Sequence, residues 1–389
     1  MTKTRKRKRI AVVVTARPSY SRIRNVLLAL NKKEGCELQL IIAASALLDR
    51  YGDITEYVER DGLEVAARVF NVVGGDSLLT MAKTTGVGIM ELATVFDNIR
   101  PDMVVTVADR FETMSTAVAA SYMHIPLAHI QGGEVTGSID EKVRHAITKL
   151  SDLHLVSTEK ARERVIRMGE REEAVIVTGC PSIDIAREAA ELPRWDQTIY
   201  DQYHGVGARP DLSKPYLVVQ MHAVTQEHDQ AVAQTRATLE AVRRQPVPVI
   251  WFWPNMDAGT DGIAHAIRMY REHHRDEGMH FFKNISSVDF LRLINHCDCL
   301  VGNSSVAIRE ASFLGVPAVN LGSRQEGREC GKNVVHVPYE SEKIEEAIRD
   351  QCRHGKYSRD EMYGDGYSGE RIADILCRIQ PGVDKKLAY

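Results

Sequence analysis

The sequence lacks any paired-cysteine pattern. Its seven cysteines, Cys36, Cys180, Cys297, Cys299, Cys330, Cys352 and Cys377, are scattered and odd in number, and none forms a C-x-x-C. That argues against a disulfide framework and a zinc site, and it predicts reduced thiols in a cytoplasmic compartment. A long apolar run is also missing near the start. MTKTRKRKR is followed by only five apolar residues, Ile10–Val14, before Arg17 and Pro18, which is too short for a signal-peptide core or a membrane span. The basic residues fit a targeting or nucleic-acid tail or, the preferred reading, a solvated arm ahead of the first strand. The net charge of -3 over 389 residues gives no global attraction to nucleic acid or membrane. No short-period repeat or low-complexity tract is present. ARPSYSRI, after the first apolar run, contains no glycine, so the G-x-G-x-x-G of a dinucleotide site is absent. The histidines and carboxylates have neither HExxH nor another metal-ligand spacing, so no metal and no redox cofactor are expected.

What is present is alternation. Short β-rich runs (IAVVVTA at 10–16, then LQLIIAA, DMVVTVA, PLAHI, DLHLVS and AVIVTG) are separated by helical patterns. One such helix places Ile23, Val26, Leu27 and Leu30 on a single face. The pattern lapses over 191–215, rich in Pro, Gly and Tyr, and restarts with YLVVQM, VPVIWFW, HFFKN, CLVG, PAVNL and NVVHV. Two α/β, Rossmann-type halves with parallel sheets facing a central cleft are the expectation: 9–190 and 216–367, joined by a linker at 191–215. Ligands of such sheets bind beyond the carboxyl ends of the strands, so the residues just after each apolar run are the candidates.

Arg17 and Ser21 follow the first run and offer a guanidinium and a hydroxyl to an anion, or serve as a surface arginine and a helix cap. Asp109 and Arg110 follow DMVVTVA, a position where a charged pair is more often ligand-facing than structural. PLAHI leads into HIQGGEVTGSIDEKVRHAITKL. Gly132 and Gly133 there permit close approach of a ligand, and Glu134 sits just beyond. Ser138 and Glu141 have capping-box spacing, Asp140 lies in the first helical turn, and Arg144 and His145 fall one turn further on. His129 reads as a satisfied core histidine. In the second half, His222 and Asn255 follow strand-like runs. Asn303, Ser304 and Ser305 open a helix after Gly302, an arrangement suited to an anion. Glu310 is placed to accept hydrogen bonds from ribose hydroxyls, and Arg324 and Arg328 follow the next run. Phosphate- and ribose-type ligands in one half and acid/base carboxylates in the other make the layout of a nucleotide-sugar enzyme.

HIQGGEVTGSIDEKVRHAITKL and GNSS…RE…LGSRQEGRE are also where the chain closely resembles the hydrolysing UDP-N-acetylglucosamine 2-epimerases, from Arg17 to Val337. The resemblance implies a GT-B-like fold whose last helix, 368–389, crosses back to the first domain. It implies that Arg17, Ser21, Arg110, His222, Asn255, Ser304, Ser305, Glu310 and Arg324 bind UDP. The catalytic carboxylates would be Asp109 and Glu134, with Asp140 and His145 beside them. It also implies a UDP-sugar substrate, no cofactor, and a homodimer or homotetramer. Three residues depart from the family pattern: Ala108 and Ala307 stand where many members have Gly, and Ala223 where Pro is usual.

The reaction so implied converts UDP-N-acetylglucosamine and water to N-acetylmannosamine and UDP through a 2-acetamidoglucal, for sialic-acid-type sugars. The alternatives are a hydrolysing enzyme for a UDP-2,4-diacetamido-trideoxy sugar of a legionaminic-type pathway, a non-hydrolysing epimerase that re-adds UDP, and, more remotely, a GT-B glycosyltransferase. Fold alone does not separate these.

Overall fold

The computed structural model describes residues 7–48, 54–74, 77–135, 139–254, 260–274, 278–283 and 285–388. Seven strands build the first sheet: β1 (Lys8–Val14), β2 (Cys36–Ala43), β3 (Val65–Val69), β4 (Met103–Val107), β5 (Leu127–Ile130), β6 (Leu153–Val156) and β7 (Val175–Val177). Their order is β3-β2-β1-β4-β5-β6-β7, and every pair is parallel. The apolar run of β1 divides by alternation. Ile10, Val12 and Val14 pack with Ile23, Val26, Leu27 and Leu30 of the helix Arg17–Asn31 on one face. Ala11 and Val13 pack on the other face with Leu92 and Phe96 of the helix Leu78–Ile99 and with Ala117 of the helix Thr113–Tyr122. Because helices cover both faces, β1 and β4 read as continuous hydrophobic runs.

The second sheet contains β8 (Val206–Gly207), β9 (Leu217–Gln220), β10 (Val249–Phe252), β11 (Met279–Phe282), β12 (Cys299–Gly302), β13 (Ala318–Leu321) and β14 (Val334–Val337). Its order is β14-β13-β12-β9-β10-β11-β8, parallel throughout except for the short edge strand β8. Omitting β8, both sheets have the doubly wound order of a dinucleotide-type half, with the switch in direction between β1 and β4 in one and between β9 and β12 in the other. Among the described residues no helix is long and apolar enough to cross a membrane.

The chain forms two compact units. The first comprises the residues up to Val135, Ile139–Asp184 and those from Tyr363 on, and the second comprises Ile185–Met362. The stretch 191–215, expected as a linker, folds onto the second unit instead. It carries the helix Thr198–Tyr203 and β8, and its buried Tyr200 stacks on Phe282 at 5.8 Å and meets His280 edge-on at 4.6 Å. The Pro and Gly that mark this stretch as a break conceal the aromatic residue that anchors it.

The C-terminal helix Ser368–Arg378 belongs to the first unit, where Ile372, Ala373 and Leu376 complete the core over β1. Its start is capped in trans: the Asp184 carboxylate accepts from the amides of Ser368 (2.9 Å) and Gly369 (2.6 Å), which suits the positive end of a helix. The expectation that all thiols are reduced is corrected here, because Cys36 at the start of β2 and Cys377 are disulfide-bonded, with Cα atoms 6.0 Å apart. The partners are 341 residues apart in sequence, and only the return of the C-terminal helix brings them together.

Candidate functional site

Beyond β4 and β5 the backbone turns sharply, twice. Ala108 has φ +63° and Gln131 has φ +67°, left-handed values that cost an L-residue roughly 1–2 kcal/mol. Ala108 occupies a position where glycine would be free of this strain. Each turn has its carbonyl held. His129 Nε2 donates to the Ala108 carbonyl (2.9 Å), while His129 Nδ1 accepts from the Thr148 hydroxyl (3.2 Å). Complete burial pushes the His129 pKa down to about 3, so this ring is neutral and structural. The Gln131 carbonyl accepts from an Nη of Arg144 at 2.7 Å.

These two turns deliver Asp109 and Glu134, both buried. The second Nη of Arg144 donates to Asp109 Oδ2, and Glu134 Oε2 lies 3.9 Å from the Nη that holds Gln131. Ser157, just past β6, donates to Glu134 Oε1 at 2.9 Å. One guanidinium, 2 % exposed, therefore stands between two carboxylates from adjacent strand ends. Arg144 and Ser157 were not assigned a role from the sequence. The signal for Arg144 was its place between Val143 and Ile147, both buried, on the helix Ile139–Leu150. Asp140 is half-buried in the first turn of that helix. His145 turns elsewhere: its Nε2 is 3.3 Å from Glu141 Oε1. Ser138 lies outside the described residues.

At the switch point between β1 and β4, Arg110 donates from Nε (3.2 Å) and Nη (3.4 Å) to the carboxylate of buried Glu112. The Ser45 hydroxyl lies 2.9 Å from Glu112 Oε1 and 3.1 Å from the Thr15 carbonyl, tying the ends of β1, β2 and β4 together. Arg17 starts the helix after β1, its guanidinium 5.4 Å from the centre of the Tyr57 ring, and Ser21 follows one turn later on the same face.

The second unit's switch point is held by an amide. The Asn303 side chain is fully buried; its Oδ1 accepts from the His222 amide and its Nδ2 donates to the His222 carbonyl, both at 2.8 Å. It thus fastens the end of β12 to the end of β9. Gly302 makes this approach possible, since at φ +140° a Cβ would collide with the Gln220 carbonyl. The Asn303 carbonyl accepts from Arg324 (3.1 Å) and Gln325 (2.8 Å). Ser304 Oγ accepts from the Val306 amide (3.4 Å) and Ser305 Oγ from an Nη of Arg309 (2.9 Å). Glu310 is buried, and its Oε2 has no hydrogen-bond partner among the described residues.

The helix expected to open at Asn303 is not a continuous one. A single 3₁₀ turn, Ser305–Ala307, precedes a short helix, Glu310–Phe313. The Ala307 carbonyl accepts from the Asn333 side chain (3.3 Å), and the Ile308 carbonyl accepts from the Ser312 hydroxyl (2.7 Å), a side-chain bond of the kind that bends helices. A one-turn helix contributes little dipole, so any anion here would be held by side chains and turn amides. Asn255 lies outside the described residues.

The chain is similar to known proteins. A UDP-N-acetylglucosamine 2-epimerase from Neisseria meningitidis serogroup B is 30% identical over 372 residues, covering 95% of each chain. A UDP-N,N'-diacetylbacillosamine 2-epimerase (hydrolyzing) from Legionella pneumophila is 31% identical over 372 residues, 96% of each chain. The crystal structure of a UDP-GlcNAc 2-epimerase from Neisseria meningitidis bound to UDP-GlcNAc superposes with TM-score 0.79 at 18% identity, covering 95% of this chain and 100% of that one. The fold is accordingly the GT-B-like one of two Rossmann-type, parallel-sheet units. The family model for UDP-N-acetylglucosamine 2-epimerases matches residues 28–377, and the chain belongs to that family.

Proposed function

We propose that the chain is a hydrolysing 2-epimerase that converts UDP-N-acetylglucosamine and water to N-acetylmannosamine and UDP. The observation that carries this reading is the pair of buried carboxylates, Asp109 and Glu134, set at the ends of adjacent strands on one guanidinium. Inversion at C2 requires one group to remove a proton and another to return one on the opposite face of the ring. Departure of UDP builds positive character at C1 and acidifies the adjacent C–H. A carboxylate takes that proton as the C1–O bond to UDP breaks, leaving 2-acetamidoglucal. Water adds its oxygen at C1, and a proton reaches C2 from the other face.

In this reading Arg17, Ser21, Arg110, His222, Asn255, Ser304, Ser305, Glu310 and Arg324 bind the nucleotide, and Asp140 and His145 belong to the same motif as the carboxylates. The acid/base chemistry lies in the first unit, and most of the nucleotide ligands lie in the second. The enzyme works in the cytoplasm as a homodimer or homotetramer and supplies a sialic-acid-type pathway. A second reading has its own support. The Legionella relative is named for a diacetylbacillosamine substrate, which favours a UDP-2,4-diacetamido-trideoxy sugar.

Incubation of the purified protein with a panel of UDP- and GDP-linked 2-acetamido sugars in D2O tests both. Release of N-acetylmannosamine carrying deuterium at C2 from UDP-N-acetylglucosamine is expected. Release only from the diacetamido sugar would replace the first reading with the second. A product still linked to UDP would exclude hydrolysis.

A further inference from the structure

Arg144 presents a physical problem that its position alone does not explain. It sits among the buried side chains Val143 and Ile147, where an apolar residue would pack without taking a charge out of water. A buried ion costs several kcal/mol unless its geometry and partners are excellent. Here the partners are two acceptors, Asp109 Oδ2 and the Gln131 carbonyl at 2.7 Å, and an ion-pair neighbour, Glu134 Oε2 at 3.9 Å. Two of the three are the carboxylates, and the third is the carbonyl of the left-handed residue that begins the turn to Glu134. The matching turn before Asp109 is pinned by a neutral histidine. Only a planar fork reaches such a set, because lysine offers one point charge on a flexible stem.

We propose that Arg144 is a positioning residue of the epimerisation: its guanidinium fixes the separation and direction of Asp109 and Glu134 and locks the strained Gln131 turn that carries Glu134. It acts through the two carboxylates and not on the nucleotide. This inference rests on the reading of Asp109 and Glu134 as the acid/base pair.

The test compares wild type, Arg144→Met and Arg144→Lys on the sugar that wild type turns over. Met removes the fork and the charge, whereas Lys keeps the charge and guards against loss of folding. The expected result for Arg144→Met is a fall in kcat of about 100-fold or more, the scale of lost acid/base geometry. Arg144→Lys is expected to lose at least about tenfold, because the carboxylates are no longer held by a fork. KM, and UDP affinity by calorimetry, should stay within about threefold in both, as for an interaction made at the reacting centre and not with bound nucleotide. If Arg144→Met does not fold, Arg144→Lys decides. Wild-type kcat in either variant overturns the proposal. So does a loss of UDP affinity that matches the loss of rate, which would make Arg144 a nucleotide ligand. A wild type that turns over no nucleotide sugar removes the functional reading and this inference with it. An active wild type with a variant of wild-type kcat removes this inference alone.

Discussion

At the switch point of the first sheet, and at the neighbouring end of β5, the polar groups are ions: Arg110 on Glu112, and Arg144 between Asp109 and Glu134. At the switch point of the second sheet, between β9 and β12, the fastening is an amide, Asn303 on the His222 backbone, and Arg324 rests on a carbonyl. The strand order is the same, so the difference comes from the loops. Ion pairs in a low-dielectric setting hold titrating groups in place for proton transfer. Under the proposed reading, an incoming phosphate would draw Arg324 from the Asn303 carbonyl.

The largest test of this contrast sets one unit against the other. Asp109→Asn and Glu134→Gln preserve shape and remove the titrating group, so each should lower kcat by about 100-fold or more. UDP affinity in both should change little. Arg324→Ala should do the reverse. A charge-assisted bond to phosphate is worth about 1.5–3 kcal/mol, so UDP affinity should fall by at least about tenfold. Calorimetry and steady-state kinetics on the same three variants read both quantities. Near-normal turnover in both carboxamide variants would leave the first unit without its assigned chemistry.

Acid should separate the units next. In the first unit, Glu170 accepts from His154 (3.0 Å), Lys149 (2.5 Å) and Lys385 (2.7 Å). Burial alone would raise its pKa, but these donors outweigh it and hold the group at about 2, below the ordinary 4.5. The folded value is the lower one, so Glu170 contributes its full stabilisation above pH 4.5 and loses it as pH falls toward 2. Asn303 does not titrate. Amide hydrogen exchange between pH 5 and 2.5 should therefore show β5 and β6 losing protection before β9 and β12. The opposite order would break the contrast.

The smallest effect is a difference of sign. Ala108 and Ala307 both occupy positions where family members often have glycine, but only Ala108 is left-handed. Ala108→Gly should raise stability by up to about 1 kcal/mol by relieving strain. Ala307→Gly should lower it by roughly 0.5–1 kcal/mol. Thermal melting of the two variants measures both.

The buried parallel strands were legible because they are short apolar runs, and Asp109 and Glu134 were legible because each follows one. β3 was not, since VAARV alternates in burial at the sheet edge and carries Arg68. β8 was hidden by its length of two residues. Gly302, Asn303 and the two serines marked a turn but not its course, since one of its carbonyls, that of Ala307, is held by Asn333 from far along the chain. The partners of Arg144 lie on two other strand ends, a relation no local spacing carries. The Cys36–Cys377 bond was invisible for the same reason.

The first unit is written in two separated pieces of sequence, and the second is written in one. During synthesis the chain up to Met362 contains the whole of the second unit while the helix Ser368–Arg378 does not yet exist. Until that helix emerges, Ile23, Val26 and Leu27 lack part of their cover, and the amides that Asp184 will cap are missing. The half of the protein made first on the ribosome is thus finished last. A nascent chain arrested after Met362 should be the form that chaperones and proteases find most easily.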